Sequence, residues 1–460
     1  MKHRVAWLLC SIAGLGALHA GGPPFHPAVV EQCVAEAWAS NLALRREALD
    51  ADTARARLEA ARGLYWPRLD FSARYSRAEG GRTIDLPVGD MLNPVYSTLN
   101  QMLGANRFPS ISNESIPFLL PREQETEFRL LQPLYRPEIA RGVEAARAMV
   151  ASHAASLAAY RRELRLEVQR AYYRWYQAGR AVEVLAAAQT LVDEALRVNR
   201  SLVANGAATE DAVLRATAEV AAVRQQSAAA GADHDLAQSY LNFLLNRPPD
   251  APVAEAAEAE LETLNQAVRA FVAEIPGGPG GREELAALDA AVRAADAGER
   301  AARVAGGPTL SLAVESGIEG ESYRIGHDGS FAQGSLVAEL NLFDGNQNRA
   351  RVREAANSRR KLEDQDEEAA RRIALQGRDA RRRLTAAIVS LDAAELRLAA
   401  ARGAFDLVAH REREGLVNQL GFLDARNTLT SAELNHAMAR AALFTAYAEL
   451  DRNLALSPLP

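Results

Sequence analysis

The chain is a doubled one. Trp66-Pro67-Arg68-Leu69-Asp70-Phe71-Ser72-Ala73-Arg74-Tyr75, an alternating stretch with a proline near its start, recurs as Gly307-Pro308-Thr309-Leu310-Ser311-Leu312-Ala313-Val314-Glu315. Leu134-Tyr135-Arg136-Pro137 matches Leu342-Phe343-Asp344-Gly345 at an offset of 208, and each leads into a long Ala-rich segment. Further on, Gly206 with Leu214 and Ala216 matches Gly415 with Leu423 and Ala425 at an offset of 209. The spacing therefore holds across more than eighty residues. A repeat this long, read as strand, strand, long helix, turn and returning helix, points to a conduit built by repetition and away from a globular enzyme.

Each strand-like stretch alternates with period two. Leu69, Phe71, Ala73 and Tyr75 fall on one face, and Arg68, Asp70, Ser72 and Arg74 on the other, over Trp66–Ser76. An apolar face opposite a charged one is what a barrel strand with lipid outside and water inside requires. Glu127–Tyr135 alternates again through Phe128, Leu130 and Leu134. In the second copy Leu310, Leu312 and Val314 line one strand, and Leu336, Ala338, Leu340 and Leu342 the next. Glu79–Arg122, rich in Gly, Pro, Asn and Ser, reads as a large surface loop, against a short Gly-rich hairpin at Ile318–Gly329 in the second copy.

The rest reads as helix. A first one is expected over Val30–Arg62. Pro137 suits the opening position of the second, which runs to Ala204, 68 residues or about 100 Å at roughly 1.5 Å per residue. Within it Leu164, Val168, Ala171, Trp175, Ala178, Val182, Leu185, Gln189, Val192, Leu196, Asn199 and Val203 recur at spacings of four and three, a coiled-coil seam. Asn346–Glu414 gives the matching helix, and returning helices extend to about Asn246 and Leu454. Gly206 and Gly415 mark the turns, where a left-handed backbone favours glycine.

Composition narrows the setting. Residues 1–20 carry a basic start, an apolar run and small residues, which reads as a signal peptide cut after Ala20. Cys33 is then the single cysteine left, expected as a small buried apolar residue, so no intrachain disulfide forms. No apolar run outside the leader is long enough for a transmembrane helix. The net charge of −6 in an exported chain speaks against nucleic acid as a partner. The histidines are scattered; His410, Glu412 and Glu414 do not share one helix face. With no phosphate loop, dinucleotide motif or nucleophile elbow, the expectation is no enzyme, no metal and no cofactor. The densest charge run, Glu363–Glu368 followed by Arg371-Arg372, contains Glu367–Arg371 and Glu368–Arg372 in the favourable order and reads as a self-paired solvated face.

Four strands do not close a membrane barrel, for which about eight is the smallest number, and open edges in lipid leave backbone groups unpaired at several kcal/mol each. Copies must therefore share one barrel, two giving eight strands and three giving twelve. In its duplicated order of strand pair and long helix, its Pro-x-Leu strand openings and its Gly-x9-Ala turn segments, the mature chain resembles the TolC family of outer-membrane efflux proteins. The fold class so implied is mainly α with a membrane β part, a homotrimer with a twelve-stranded β-barrel in the outer membrane on a twelve-helix α-barrel in the periplasm. The domains are then residues 1–20 as leader, 21–250 as first repeat, 251–281 as an irregular linker and 282–460 as second repeat. The implied function is the passive exit duct of a tripartite efflux or type I secretion system. Its partners would be a periplasmic adaptor (membrane fusion protein), an inner-membrane pump and outer-membrane lipid. The alternative reading is a soluble periplasmic coiled-coil adaptor or structural protein.

The resemblance also places candidate site residues. Gly206 and Gly415 would be the helix-tip turns that dock the adaptor. In the family an acidic residue commonly follows the turn glycine by six places and sometimes nine; here those places hold Ala212 and Gly421, then Arg215 and Asp424. Asp424 fits directly, Asp211 is one place off, and Glu210 precedes it. The three are the candidate aperture residues at the periplasmic tip. Thr209, Glu210 and Asp211 equally suit a helix N-terminus, where acids complement the dipole.

Overall fold

A computed structural model describes residues 25–275, 281–323, 329–414, 416 and 419–459, so the leader and the turn residue Gly415 lie outside the described residues. The described chain divides into two compact units. One comprises residues up to Ala54, Met149–Val292 and the chain from Lys361 on; the other comprises Arg55–Ala148 and Arg293–Arg360.

The first unit is helical. The helix expected over Val30–Arg62 forms as α1 (Ala28–Ser40) and α2 (Leu42–Gly63), broken at Asn41. Asn41 leaves the helical backbone region with ψ 124°. Its side-chain oxygen accepts from the N–H groups of Ala43 (2.9 Å) and Leu44 (3.0 Å), an N-cap for α2. Its amide nitrogen donates to the Leu244 carbonyl at 2.9 Å, and Ser40 Oγ donates to that of Leu245 at 2.7 Å. The break is thus paired to the end of another helix, a tertiary bond that helix periodicity does not announce.

The long helices match the reading closely: α4 spans Pro137–Ala204, and α8 spans Gln347–Arg413. The returning helices are α5 (Glu210–Leu244) and α9 (Gln419–Leu454). All twelve seam positions of α4 are buried or half-buried. Leu164, Val168, Ala171 and Trp175 join a core with Val30, Cys33 and Val34 of α1, Leu241 of α5, Leu384 and Leu391 of α8, and Phe444 and Tyr447 of α9. Cys33 lies inside that core, and burial raises its thiol pKa, so it serves as an apolar side chain.

The stretch 251–281 is more regular than its prolines suggest. It contains α6 (Glu258–Phe271), whose Leu261, Leu264, Val268 and Phe271 are buried at spacings of three and four. That helix joins the same core.

The second unit holds one antiparallel sheet in the order β1-β4-β5-β6, with β1 at Arg68–Arg77, β4 at Arg122–Tyr135, β5 at Thr309–Gly320 and β6 at Ser330–Glu339. The central pair β4–β5 joins the two copies. β4 starts five residues before the expected Glu127, because Arg122–Gln124 pair with Tyr75–Arg77. Leu340 and Leu342 lie past the end of β6. The large loop between β1 and β4 has structure of its own: β2 (Thr83–Leu86) pairs with β3 (Glu114–Pro117), and α3 spans Val88–Leu103. Helix α7 (Glu283–Val304) leads into β5 as α2 leads into β1.

Candidate functional site

The pairing register makes each face of the sheet continuous from strand to strand. Leu69 opposes Leu130, which opposes Val314; Phe71 opposes Phe128; Leu312 opposes Leu336. These side chains point to one side. Their exposure is high for apolar groups, with Phe71 at 61% and Leu336 at 66%. The Phe71 and Phe128 rings meet at 5.0 Å between centroids.

The opposite face is polar. Asp70 opposes Arg129, which opposes Glu315, and Arg129 Nε lies 3.0 Å from Glu315 Oε1. Ser72 Oγ donates to Glu127 Oε1 at 3.1 Å, and Arg74 Nη2 reaches Glu125 Oε2 at 2.7 Å. Such rows of paired charge cannot face hydrocarbon, whereas the opposite face has no use for water. The sheet therefore has one side suited to lipid and one to an aqueous lumen. It also has two free edges, β1 and β6.

At the first helical turn, Gly206 takes φ +72° with no atom within 4 Å of where a Cβ would stand, so its backbone angle is the reason for glycine. Gly206 N–H donates to Val203 O at 3.0 Å and Ala207 N–H to Leu202 O at 2.8 Å, the paired bonds of a Schellman ending. In the second copy Leu416 N–H donates to Arg411 O at 2.8 Å, the counterpart of the longer of those two reaches.

Residues 280–455 match the family model described as outer membrane efflux protein. As a whole the chain has the fold of outer-membrane channels. The CmeC outer membrane channel of Campylobacter jejuni superposes with a TM-score of 0.78 at 14% identity, over 99% of this chain and 94% of that one. The MtrE channel of Neisseria gonorrhoeae, solved in an open state, gives 0.73 at 19% identity over 96% and 93%. The outer membrane protein VceC of Vibrio cholerae gives 0.72 at 16% over 93% and 96%. No curated protein matches the chain in sequence.

The candidate aperture residues are in different states. Glu210 and Asp211 occupy the first turn of α5 after Thr209, whose side chain makes no capping bond to the helix and donates instead to the Asp211 carboxylate. Asp211 also pairs with Arg215 at 3.2 Å, an exposed link one turn on. Asp424 is exposed near the start of α9. Two residues beyond it Arg426, only 1% exposed, reaches across to Glu219 of α5, so the starts of the two returning helices are tied together. Burial lowers the Arg426 pKa, and Glu219 opposes that shift. Its Nε and Nη1 have no hydrogen-bond partner among the described residues. This pair was not visible in the sequence, because an arginine on an Ala-rich helix looks like any surface charge until its neighbours are known.

Elsewhere the charge run of α8 pairs as expected, Glu367 with Arg371 and Glu368 with Arg372 on an exposed face. His410 pairs with Glu414, 3.2 Å away, rather than joining Glu412 in a cluster. Among the described residues no three His, Cys, Asp or Glu side chains gather as metal ligands would.

Proposed function

We propose that this chain is an outer-membrane efflux protein, the exit duct of a tripartite efflux or type I secretion system. Three copies would share a twelve-stranded barrel in the outer membrane, and their helices would form the periplasmic tunnel. The observation that carries this reading is the four-stranded sheet with an apolar face, a charged face and two open edges. In lipid each unpaired backbone group costs several kcal/mol, so β1 of one copy must meet β6 of the next. Conduction is passive in this reading, with energy supplied by an inner-membrane pump through a periplasmic adaptor. The turns at Gly206 and Gly415 are the docking tips, and Asp424, Asp211 and Glu210 line the aperture. Of these Asp424 is the strongest candidate, because Asp211 is already engaged by Arg215 and Thr209. The test is fractionation followed by native mass measurement. The outer-membrane fraction, extracted in detergent, is expected to yield a trimer; a detergent-free monomer in the periplasmic fraction would end the reading.

A further inference from the structure

The two free edges of the sheet are equally long: β1 and β6 each run for 10 residues. Where β6 of one copy meets β1 of the next, three conditions select how the two strands align. The first is the parity of their faces. On β6, Gln333, Ser335 and Glu339 oppose Glu315, Ala313 and Thr309 of β5 and so share the charged face, while Leu336 opposes Leu312 on the apolar one. On β1, Arg68, Asp70, Ser72 and Arg74 hold the charged face, and Leu69 and Phe71 the apolar one. Both faces stay continuous across the seam only where Ser335 stands opposite one of the charged-face residues of β1. A slip of one residue would turn every side chain to the wrong medium, so allowed registers differ by two.

The second condition is tilt. Within one copy the line of opposed residues from Arg68 runs through Leu131 and Ala313 to Ser335. Threefold symmetry puts Arg68 of every copy at one height, so the residue of the next β1 that Ser335 meets sets how far that line climbs per copy. Ser72 lies four residues beyond Arg68. Meeting it tilts the strands by about 35°, from a rise of ~3.3 Å per residue and a strand spacing of ~4.8 Å. Meeting Arg74 gives about 46°. Meeting Asp70 or Ser76 gives about 19° or 54°, outside the roughly 35–45° of membrane barrels.

Charge and length decide between the two that remain. With Ser335 opposite Ser72, the exposed Glu339 stands opposite Arg68, Leu336 opposite Phe71 and Ser330 opposite Arg77, so both strands are paired from end to end. Arg68 gives its Nε to Asp70 at 2.9 Å, which leaves its terminal nitrogens for a second carboxylate. With Ser335 opposite Arg74, Glu339 would instead face Asp70, a pair of like charges. That alignment also leaves Arg68 and Leu69 of one strand and Ser330 and Phe331 of the other without partners, at several kcal/mol for each backbone group in lipid.

We propose that β6 and the next copy's β1 close in the register that sets Ser335 opposite Ser72, with an ion pair between Glu339 and the next copy's Arg68 on the lumen side of each seam. The proposal rests on the trimer reading above and adds the strand alignment that the reading leaves open. Its test uses the full chain with Cys33→Ser, carrying Leu336→Cys with Phe71→Cys or Ser335→Cys with Ser72→Cys. The shifted pairs are Leu336→Cys with Ala73→Cys and Ser335→Cys with Arg74→Cys. Opposed residues alternate between close and wide along antiparallel strands, so one of the first two pairs has the short separation that a disulfide needs. The two cysteines of one copy lie three strand spacings apart, about 14 Å or more, so a disulfide joins copies. Membranes are oxidised, covalent species are read on denaturing gels, and trimer formation is measured on the same samples by native mass. Covalent dimer and trimer are expected from at least one of the first two pairs, and only background from the shifted pairs. In the chain without added cysteines, Glu339→Arg is expected to lower trimer yield and Arg68→Glu alongside it to restore the yield. Greater crosslinking at a shifted pair, a native trimer that no pair crosslinks, or a yield raised by Glu339→Arg alone overturns the register and leaves the trimer standing. Absence of a trimer in the unsubstituted chain overturns both.

Discussion

Phe71 and Ser72 are neighbours in sequence and belong to opposite media, which makes them a sharp test of the sheet. Phe71 stacks against Phe128 across the β1–β4 pair, 5.0 Å between ring centroids. Phe71→Arg removes that ring pair, about 0.5–1.5 kcal/mol, and places a guanidinium on the lipid side, about 2–4 kcal/mol at the midplane and less towards an interface. Phe71 is the fourth of the ten residues of β1, off the centre of the strand, so the sum expected is roughly 2–4 kcal/mol. Ser72→Arg adds the same group one residue on, where Glu127 and Glu125 already line the face. There it gains a wet ion pair worth less than about 1 kcal/mol, and assembly is expected to be unchanged. The assay is trimer yield in the outer membrane, with urea midpoints on the extracted protein; Phe71→Leu serves as a control for loss of the ring alone. Equal losses in Phe71→Arg and Ser72→Arg, or a greater loss in the latter, would refute the assignment of faces.

Three further outcomes are expected. Glu219→Ala leaves the Arg426 guanidinium buried without its carboxylate, with only the neutral Asn427 amide oxygen as partner, at about 3–5 kcal/mol, whereas Arg426→Met leaves a partly exposed carboxylate that water can serve and is nearly neutral; hydrogen exchange over the first turns of α5 and α9 should rise sharply in the first variant only. His26 is enclosed, with Nδ1 2.7 Å from the Tyr173 hydroxyl, and burial, helped by the charge of Arg165, holds its pKa down to about 3. The unfolded chain binds that proton near pH 6.5, so this stabilisation is full above that pH and is lost as pH falls towards 3, about 2 kcal/mol of it by pH 5. His26→Gln should flatten the fall in melting temperature between pH 7 and 5, and an unchanged slope would remove His26 from the account. Asp424→Ala is expected to reduce cation preference and block by multivalent cations in planar bilayers more than Asp211→Ala does, since Asp211 is paired with Arg215; identical selectivity in both variants and in the double variant would leave these residues as helix-end charges.

What could be read in the sequence is what repetition and period encode. Pro137–Ala204 was legible because Pro137 suits a helix start and a seam in steps of four and three, from Leu164 to Val203, specifies a helix and the face that it buries. The strands were legible because Asp70 and Arg129 cannot share a side with Phe71 and Phe128. Strand ends were less so: β4 extends back to Arg122 through residues that carry no apolar alternation, and only the partner strand defines it. The break at Asn41 and the buried Arg426 depend on groups 203 and 207 residues away in sequence, so no local pattern announces them. Within the loop, α3 carries a readable stripe, but the Gly, Pro, Asn and Ser around it obscured the helix, and those same Asn side chains turn out to fasten it.

The two copies have kept their helices at nearly equal length, 68 and 67 residues for α4 and α8, and 35 and 36 for α5 and α9. Their strand connections have diverged in length, and the one between β1 and β4 carries its own helix and ladder. One residue inserted into a long helix rotates everything beyond it by about 100° and carries the seam off its partners. An insertion beyond β1 or β5 rotates nothing. The chain's tolerance of added sequence is therefore sharply zoned. An epitope or a reporter peptide spliced between Gly320 and Ser330 should leave assembly intact, while a single added alanine in the middle of α4 should abolish it.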